Sequence, residues 1–389
     1  MKKIYHLLPS HTTHLTPGII RSIIVASKYK HFFLIYLNDP DKKGIYTSLF
    51  ETINYSNYAF VGNDTSYKDR FRYLLLEIQY PRYHIKHSDK EKKLYGRLLT
   101  LRIDNLVIHG ELGMYGTGIY KTLLAANIPT VWVCWGNIPT LHRSIIYKFT
   151  TYHYKTLFLN RLFCVCALTN NDKDLLMNRF KIHNIQLCPY IQNYLYNHYE
   201  SEKKKKILVG NSGHYIDSYF EVAELLKSFA NLDITFMVPY GIDSDYKRKQ
   251  YFELKQIAYK YWGDNVHFWE NTLPFNEYEQ ELSKYSVYIC NVNRQTGLGA
   301  ASHCLYYGMK VFLKGTNYNH YKENGYIVHH IKEIEEMNTS DELFNLSEKE
   351  ETCNRMNYIK IYNQKEQRIE KWEKLFEQLL YKNEKDKKE

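Results

Sequence analysis

Four lysines, Lys203 to Lys206, run into Ile207-Leu208-Val209-Gly210-Asn211-Ser212-Gly213, and a helical pattern begins near Asp217. An apolar run of strand length that breaks into small residues and then a helix fits few folds. It reads as a buried parallel strand entering a βα turn. In an open α/β sheet, ligands bind at the carboxyl ends of the strands. Gly, Asn and Ser there let a phosphate or sugar approach the backbone. The same residues also suit a plain turn.

The cadence recurs along the chain. Ile4–Leu8 and Phe32–Leu37 are apolar runs flanking a helical segment that Pro17 can start. Leu106-Val107-Ile108-His109-Gly110 is a further strand, followed by a helix expected over 116–127. Thr130-Val131-Trp132-Val133-Cys134-Trp135-Gly136 again runs from strand into glycine. Residues 38–101 look irregular. Leu162–Leu168 and Ile185–Cys188 read as the last strands of this half. The second half alternates more cleanly. Strands are expected at 206–210, 234–238, 266–269, 287–292 and 310–313. Helices are expected near 217–231, 244–261, after Pro274, at 297–307 and at 364–381. Strands separated by helices imply parallel, doubly wound sheets.

One ordinary core does not extend over 389 residues, so two domains are expected. The polar, lysine-rich stretch 193–206 marks a linker. The reading is a first domain over 1–192, a second over 207–362, and a terminal helix with charged tail over 363–389. No apolar run reaches membrane-spanning length, and the opening apolar stretch is too short for a signal peptide, so a cytoplasmic location is expected. Cys164 and Cys166 share one face of a strand and suit neither zinc nor a mutual disulfide.

The net charge of 52 − 42 = +10 favours an anionic partner. From Leu112 through Asn171 there is no Asp or Glu, while Lys121, Arg143, Lys148, Lys155 and Arg161 fall in that window. The basic, aromatic segment 143–161 suits a helix on anionic headgroups, or one packing its aromatic side into a core. No recognisable RNA- or DNA-binding module is present.

Arg294-Gln295-Thr296-Gly297-Leu298-Gly299 sits at a strand end and opens a helix. Free amides and the helix dipole there would bind a diphosphate, with Arg294 adding a fixed charge. A third glycine is missing at Ser302, so a dinucleotide fingerprint does not fit. His109 and Glu111 flank a strand-end glycine, and either could accept a proton from an attacking hydroxyl. Trp135 could stack on a sugar or be a core residue. Asp39-Pro40-Asp41 and Asp243-Ser244-Asp245 resemble metal-holding pairs but read as turn and cap residues. No metal motif, Cys-x-x-Cys or Walker loop occurs.

Gly210-Asn211-Ser212-Gly213, Val238-Pro239-Tyr240-Gly241 and Arg294-Gln295-Thr296-Gly297-Leu298-Gly299, with His109-Gly110 and Trp135-Gly136, resemble glycosyltransferase family 56. That family includes the 4-acetamido-4,6-dideoxy-D-galactose (Fuc4NAc) transferase of enterobacterial common antigen synthesis. The likeness is strongest over residues 105–325. It implies a GT-B fold, two Rossmann-like domains facing a cleft, with the terminal helix crossing back to the first. It implies a dTDP- or UDP-sugar donor held by the second domain, without metal or other cofactor. It also implies a polyprenyl-diphosphate-linked saccharide acceptor at the cytoplasmic face of the inner membrane. Trp135, Arg143, Lys148, Lys155 and Arg161 would then face acceptor and membrane, with no nucleic acid involved. The family's Trp-Gly-Ala-Asp is Trp135-Gly136-Asn137-Ile138 here, so that loop lacks its acid. No glutamate occurs from Asn293 to His320, so the paired-glutamate signature of many retaining GT-B enzymes is missing. A nucleotide-sugar epimerase and a non-catalytic nucleotide- or lipid-binding protein are the other classes compatible with these features.

Overall fold

The computed structural model describes residues 3–10, 16–37, 40–61, 101, 103–110, 128–135, 159–190, 205–229 and 231–386. The chain divides into two compact units. One comprises Met1–Gln192 with Lys365–Glu389, and the other Asn193–Gln364.

The described elements of the first unit begin with β1 (Lys3–Pro9), α1 (Thr16–Ala26), β2 (Lys30–Tyr36), α2 (Lys43–Thr52) and β3 (Tyr58–Val61). Then come β4 (Leu106–His109), β5 (Thr130–Cys134), β6 (Cys164–Ala167), α3 (Asn170–Phe180) and β7 (Ile185–Leu187). The sheet is parallel, in the order β3-β2-β1-β4-β5-β6-β7. Its strands are mostly apolar because both faces of the sheet are covered. On one face Leu7, Leu34, Ile108, Trp132 and Val165 form a core. On the other, Val107, Val131, Val133, Cys164 and Cys166 pack against Trp372, Leu375, Phe376 and Leu379 of the C-terminal helix Lys365–Asp386. The two strand cysteines therefore share a face, as their spacing requires.

Two elements correct the expectation that residues 38–101 are irregular. Helix α2 buries Tyr46, Leu49 and Phe50 at i, i+3 and i+4, and β3 adds a four-residue edge strand. A polar flank and Gly44 mask that short apolar stripe in the sequence. Helix α3 starts where Thr169 caps it, accepting from the Asp172 amide at 3.1 Å. The expected helix 116–127, Glu111, and residues 143–158 of the basic segment, including Arg143, Lys148 and Lys155, lie outside the described residues.

The second unit runs β8 (Lys206–Val209), α4 (Ile216–Leu226), β9 (Asp233–Met237), α5 (Asp245–Trp262), β10 (Val266–Trp269) and α6 (Phe275–Leu282). It continues with β11 (Val287–Cys290), α7 (Leu298–Tyr306), β12 (Lys310–Leu313), α8 (Gly315–Glu323) and β13 (His329–His330). Helices α9 (Ser340–Phe344) and α10 (Glu348–Asn363) close it. The sheet is again parallel, in the order β10-β9-β8-β11-β12-β13. Alternation along β8 sends Ile207 and Val209 to one core and Leu208 to the other. Helix α4 stops at Leu226, earlier than its periodicity suggests, and Asn231 beyond it is left-handed. The C-terminal helix runs through Asp386, past the stop expected near Tyr381. Among the described residues no helix is long and apolar enough to cross a membrane.

Candidate functional site

In the second unit the chain leaves β8 for β9 on one side and returns to β11 on the other. The carboxyl ends of β8 and β11 therefore form the topological switch point, where open α/β sheets bind ligands. The turn after β8 is Gly210–Gly213 and the turn after β11 carries Arg294–Gly297. The fold brings together the two motifs that sequence separates by some eighty residues. Asn211 Nδ2 lies 3.5 Å from Thr296 Oγ1. Gly297 is left-handed (φ +60°), and a Cβ there would stand 2.9 Å from Asn211 Cγ. The Gly210 amide donates to Ile289 O at 2.8 Å, tying the first turn to β11.

The loop after β9 joins them. Gly213 N donates to Tyr240 O at 2.7 Å, and Asn211 also hydrogen-bonds the Tyr240 side chain. Gly241 (φ +93°) lets that loop close, since a Cβ would stand 2.5 Å from His214 N. Pro239 precedes this pair and is half-buried. Beneath Gly210 sits a brace that the sequence does not announce. The Tyr219 hydroxyl accepts from Ser212 N at 3.0 Å and lies 2.9 Å from Ser212 O and 2.7 Å from Met237 O. Burial pushes its phenol well up, so it stays protonated.

Helix α7 opens at Gly297, which provides no side-chain cap. Its first amides have no partner within the helix, and the dipole adds positive potential. The space beside Gly299 is open: a Cβ there would meet nothing within 4 Å. Leu298 O accepts from the Tyr321 hydroxyl at 2.6 Å, and His303 Nδ1 lies 2.6 Å from Gly299 O. Asn317 holds Thr296 through both its backbone N–H and its C=O. The Gln295 side chain is buried. The Arg294 guanidinium lies over the Tyr215 ring, 4.7 Å from its centroid. Fixed positive charge, orphan amides and closely approaching backbone suit an anion. Asp243 and Asp245 are engaged locally, by Lys247 at 3.2 Å and Arg248 at 2.5 Å, with Ser244 as the cap of α5.

In the first unit His109 is fully buried at the end of β4. Its Nδ1 lies 2.7 Å from Tyr190 Oη, and its Nε2 lies 3.0 Å from His6 Nδ1. His6 Nε2 continues to His31 Nδ1 at 2.8 Å. Trp135 donates from Nε1 to Tyr190 Oη at 2.6 Å. If Tyr190 donates to His109, each histidine takes the Nε2–H form and passes a hydrogen bond to the next. Burial drives His109 down to about 3 and His31 down to about 4, and lowers His6 strongly, so the chain is neutral at pH 7. The three rings meet nitrogen to nitrogen and do not converge on one point. Among the described residues no cluster of His, Cys, Asp or Glu suits a metal ion. Trp135 is half-buried and covers Gly110, whose Cβ would stand 3.2 Å from its ring. Arg161 is exposed.

A doubly wound parallel sheet, occurring twice in one chain with an anion-suited switch point in the second copy, is the architecture of the GT-B fold. No protein family and no curated protein matches the sequence. Solved structures do match. A sucrose-phosphate synthase from Thermosynechococcus elongatus is 12% identical over 98% of this chain and 100% of its own, with a TM-score of 0.64. The E. coli trehalose-6-phosphate structure bound with UDP-2-fluoro glucose is 13% identical, covers 96% and 98%, and has a TM-score of 0.62. A UDP-N-acetylglucosamine 2-epimerase from Listeria monocytogenes is 11% identical, covers 95% and 97%, and has a TM-score of 0.51. The chain has the GT-B fold.

Proposed function

We propose that this protein is a glycosyltransferase that takes its sugar from a nucleotide-diphosphate donor held at the switch point of the second unit. The observation that carries this is the convergence of Asn211, Arg294 and Gly297 at the carboxyl ends of β8 and β11. The leaving diphosphate gains negative charge in the transition state, and a preorganised arginine and amides stabilise that charge most where it grows. Asn211 and Ser212 contact phosphate or sugar in this reading. Of the two candidate bases, His109 and Glu111, this reading favours Glu111, which lies outside the described residues. His109 is engaged through both nitrogens and held near 3 by burial, so it acts as a positioning residue behind Tyr190 and Trp135. Likeness to a structure bound with UDP-2-fluoro glucose supports the donor class.

The finer reading follows the family 56 resemblance: a Fuc4NAc-like deoxy-amino sugar moves from dTDP or UDP to a polyprenyl-diphosphate-linked saccharide. The enzyme would work without metal, peripherally, at the cytoplasmic face of the inner membrane. The net charge of +10 and the acid-free window 112–171 support an anionic surface as partner. An epimerase acting on the nucleotide sugar alone is the second reading, favoured by the Listeria neighbour.

Thermal melting against dTDP, UDP, GDP and ADP, with and without magnesium, tests the donor site. Ligand at about one hundred times its dissociation constant stabilises by about 2.7 kcal/mol. A shift with dTDP or UDP that ignores magnesium supports the reading, and no shift with any of them rejects it. Arg294→Ala is expected to lower kcat/KM by about 2–4 kcal/mol. Turnover of donor alone, without acceptor, would favour the epimerase.

A further inference from the structure

We propose that His214 and Lys247 complete an anion site with Arg294, and that together these residues take the diphosphate of a nucleotide ligand. The inference rests on the donor-binding reading above.

Three loops at the carboxyl edge of the second sheet each contribute a basic group. His214 follows the turn after β8, Lys247 lies in the first turn of α5 after β9, and Arg294 lies after β11. Lys247 Nζ stands 3.3 Å from His214 Nδ1. Arg294 lies over Tyr215, the neighbour of His214, and its charge reaches the imidazole. The groups facing His214 are Lys247, Arg294, Asp243 and the Tyr240 ring at 5.9 Å. Only Asp243 is acidic, and it is engaged by Lys247 at 3.2 Å. Two permanent cations therefore act on one imidazole at this edge of the sheet. Gathering like charges is unfavourable unless an anion joins them.

The arrangement is held in place. Gly241 closes the β9 loop on the His214 backbone, and Gly213 is bonded to Tyr240 O at 2.7 Å. Burial and Lys247 lower the imidazole below its ordinary range, so it carries little charge while the site is empty. A bound diphosphate would raise it again, and protonated His214 would donate to phosphate. The basic groups flank β8 from the β9 side and from the β11 side. Those flanks are two strand spacings, about 10 Å, apart. Two linked phosphates bridge such a span more readily than one. Arg294 with the α7 amides would take one phosphate, and His214 with Lys247 the other.

The test is calorimetric titration of the full chain and of its His214→Gln, Lys247→Ala and Lys247→Met variants with UDP, UMP and inorganic pyrophosphate. Each variant should lose about tenfold in UDP affinity, the size of one charge-assisted hydrogen bond, while UMP affinity changes little. Wild-type affinity for UDP should rise as the pH falls and His214 takes a proton, and His214→Gln should flatten that rise. The terminal phosphate of UDP titrates near pH 6 as well, which makes the variant against wild type the informative comparison. Variants that bind UDP as the wild type does, with the same pH dependence, overturn the proposal. So does a wild type that binds none of the three. The glutamine and methionine replacements keep the side-chain bulk, so a melting temperature close to wild type excludes misfolding as the cause of lost binding. Pyrophosphate and UDP binding without turnover on any donor–acceptor pair would keep this site and sink the transferase. Sugar transfer by fully active His214 and Lys247 variants would do the reverse.

Discussion

At the scale of single residues, Gly210 is the most constrained position of the candidate site. Its φ of +72° is one that side-chain-bearing residues rarely adopt, and a Cβ would collide with the Tyr219 hydroxyl. That hydroxyl cannot swing away cheaply, because Ser212 N, Ser212 O and Met237 O all hold it. Gly210→Ala is therefore expected to destabilise the protein by about 2 kcal/mol or more, read as a lower urea midpoint. Tyr219→Phe makes room in part but leaves buried backbone groups unpaired, at about 1–3 kcal/mol. The double variant should cost less than the two singles added, because the clash and the brace are one interaction. Additive costs would mean that Tyr219 does not set the turn. The glycines and Arg294 could be picked out from sequence because each follows an apolar strand run, although Gly, Asn and Ser there equally suit a plain turn. Tyr219 could not: nothing in a helical tyrosine announces that its hydroxyl returns to the preceding turn. His214 follows directly on Gly213 and carried no signal until α5 placed Lys247 beside it.

At the scale of elements, the histidine chain joins three strands, β1, β2 and β4, beneath the C-terminal helix. Phe376 packs edge-on against His6 and His31, at 5.8 and 5.3 Å. Trp372 stacks on Tyr190 at 6.0 Å and donates to Pro189 O at 3.1 Å. All three imidazoles are lowered in the folded state, chiefly by burial. The unfolded chain therefore binds more protons than the folded chain below about pH 6.5. Stability from these groups is complete at neutral pH and is lost as pH falls from about 6.5 towards the folded values of about 4 for His31 and about 3 for His109. His31 and His109 should each remove roughly 2 kcal/mol at pH 5 relative to pH 7. Urea melts followed by tryptophan fluorescence should show a falling midpoint over that range, and a flat midpoint from pH 7 to pH 5 would refute the account. In the second unit α8, β13, α9 and α10 had no expectation, while β8 to β12 were legible as short, largely apolar runs. Helix α2 and strand β3 were not, since a three-residue stripe around Tyr46 and a four-residue edge strand give little periodicity. The histidine chain needs strand register to be seen, because His6, His31 and His109 are far apart in sequence and only the order β2-β1-β4 aligns them.

At the scale of the whole molecule, the chain order and the order of the folded units differ. The last residues return to the first unit, where the helix Lys365–Asp386 covers one face of the sheet. Trp372, Leu375, Phe376, Leu379 and Leu380 are all buried there. At about 1.5–3 kcal/mol for each large apolar side chain removed from water, the helix contributes on the order of 10 kcal/mol before its ordering entropy. That matches the whole net stability of a typical domain, about 5–15 kcal/mol. The second unit has its own two cores, and among the described residues these contain no side chain of the helix. A chain ending at Gln364 should thus fail selectively. Its first sheet would expose Val107, Val131, Val133, Cys164 and Cys166 to water, while the second unit kept its fold. Limited proteolysis should then digest the first unit quickly and leave a resistant fragment close to 205–364. Calorimetry should show one cooperative transition where the full chain shows the heat of both units. A peptide spanning 365–389, added to the truncated chain, should restore protection if burial of that one face is the cause. Equal resistance of both units after truncation would mean that the first sheet closes without the helix, and that the five buried side chains contribute far less than their area implies.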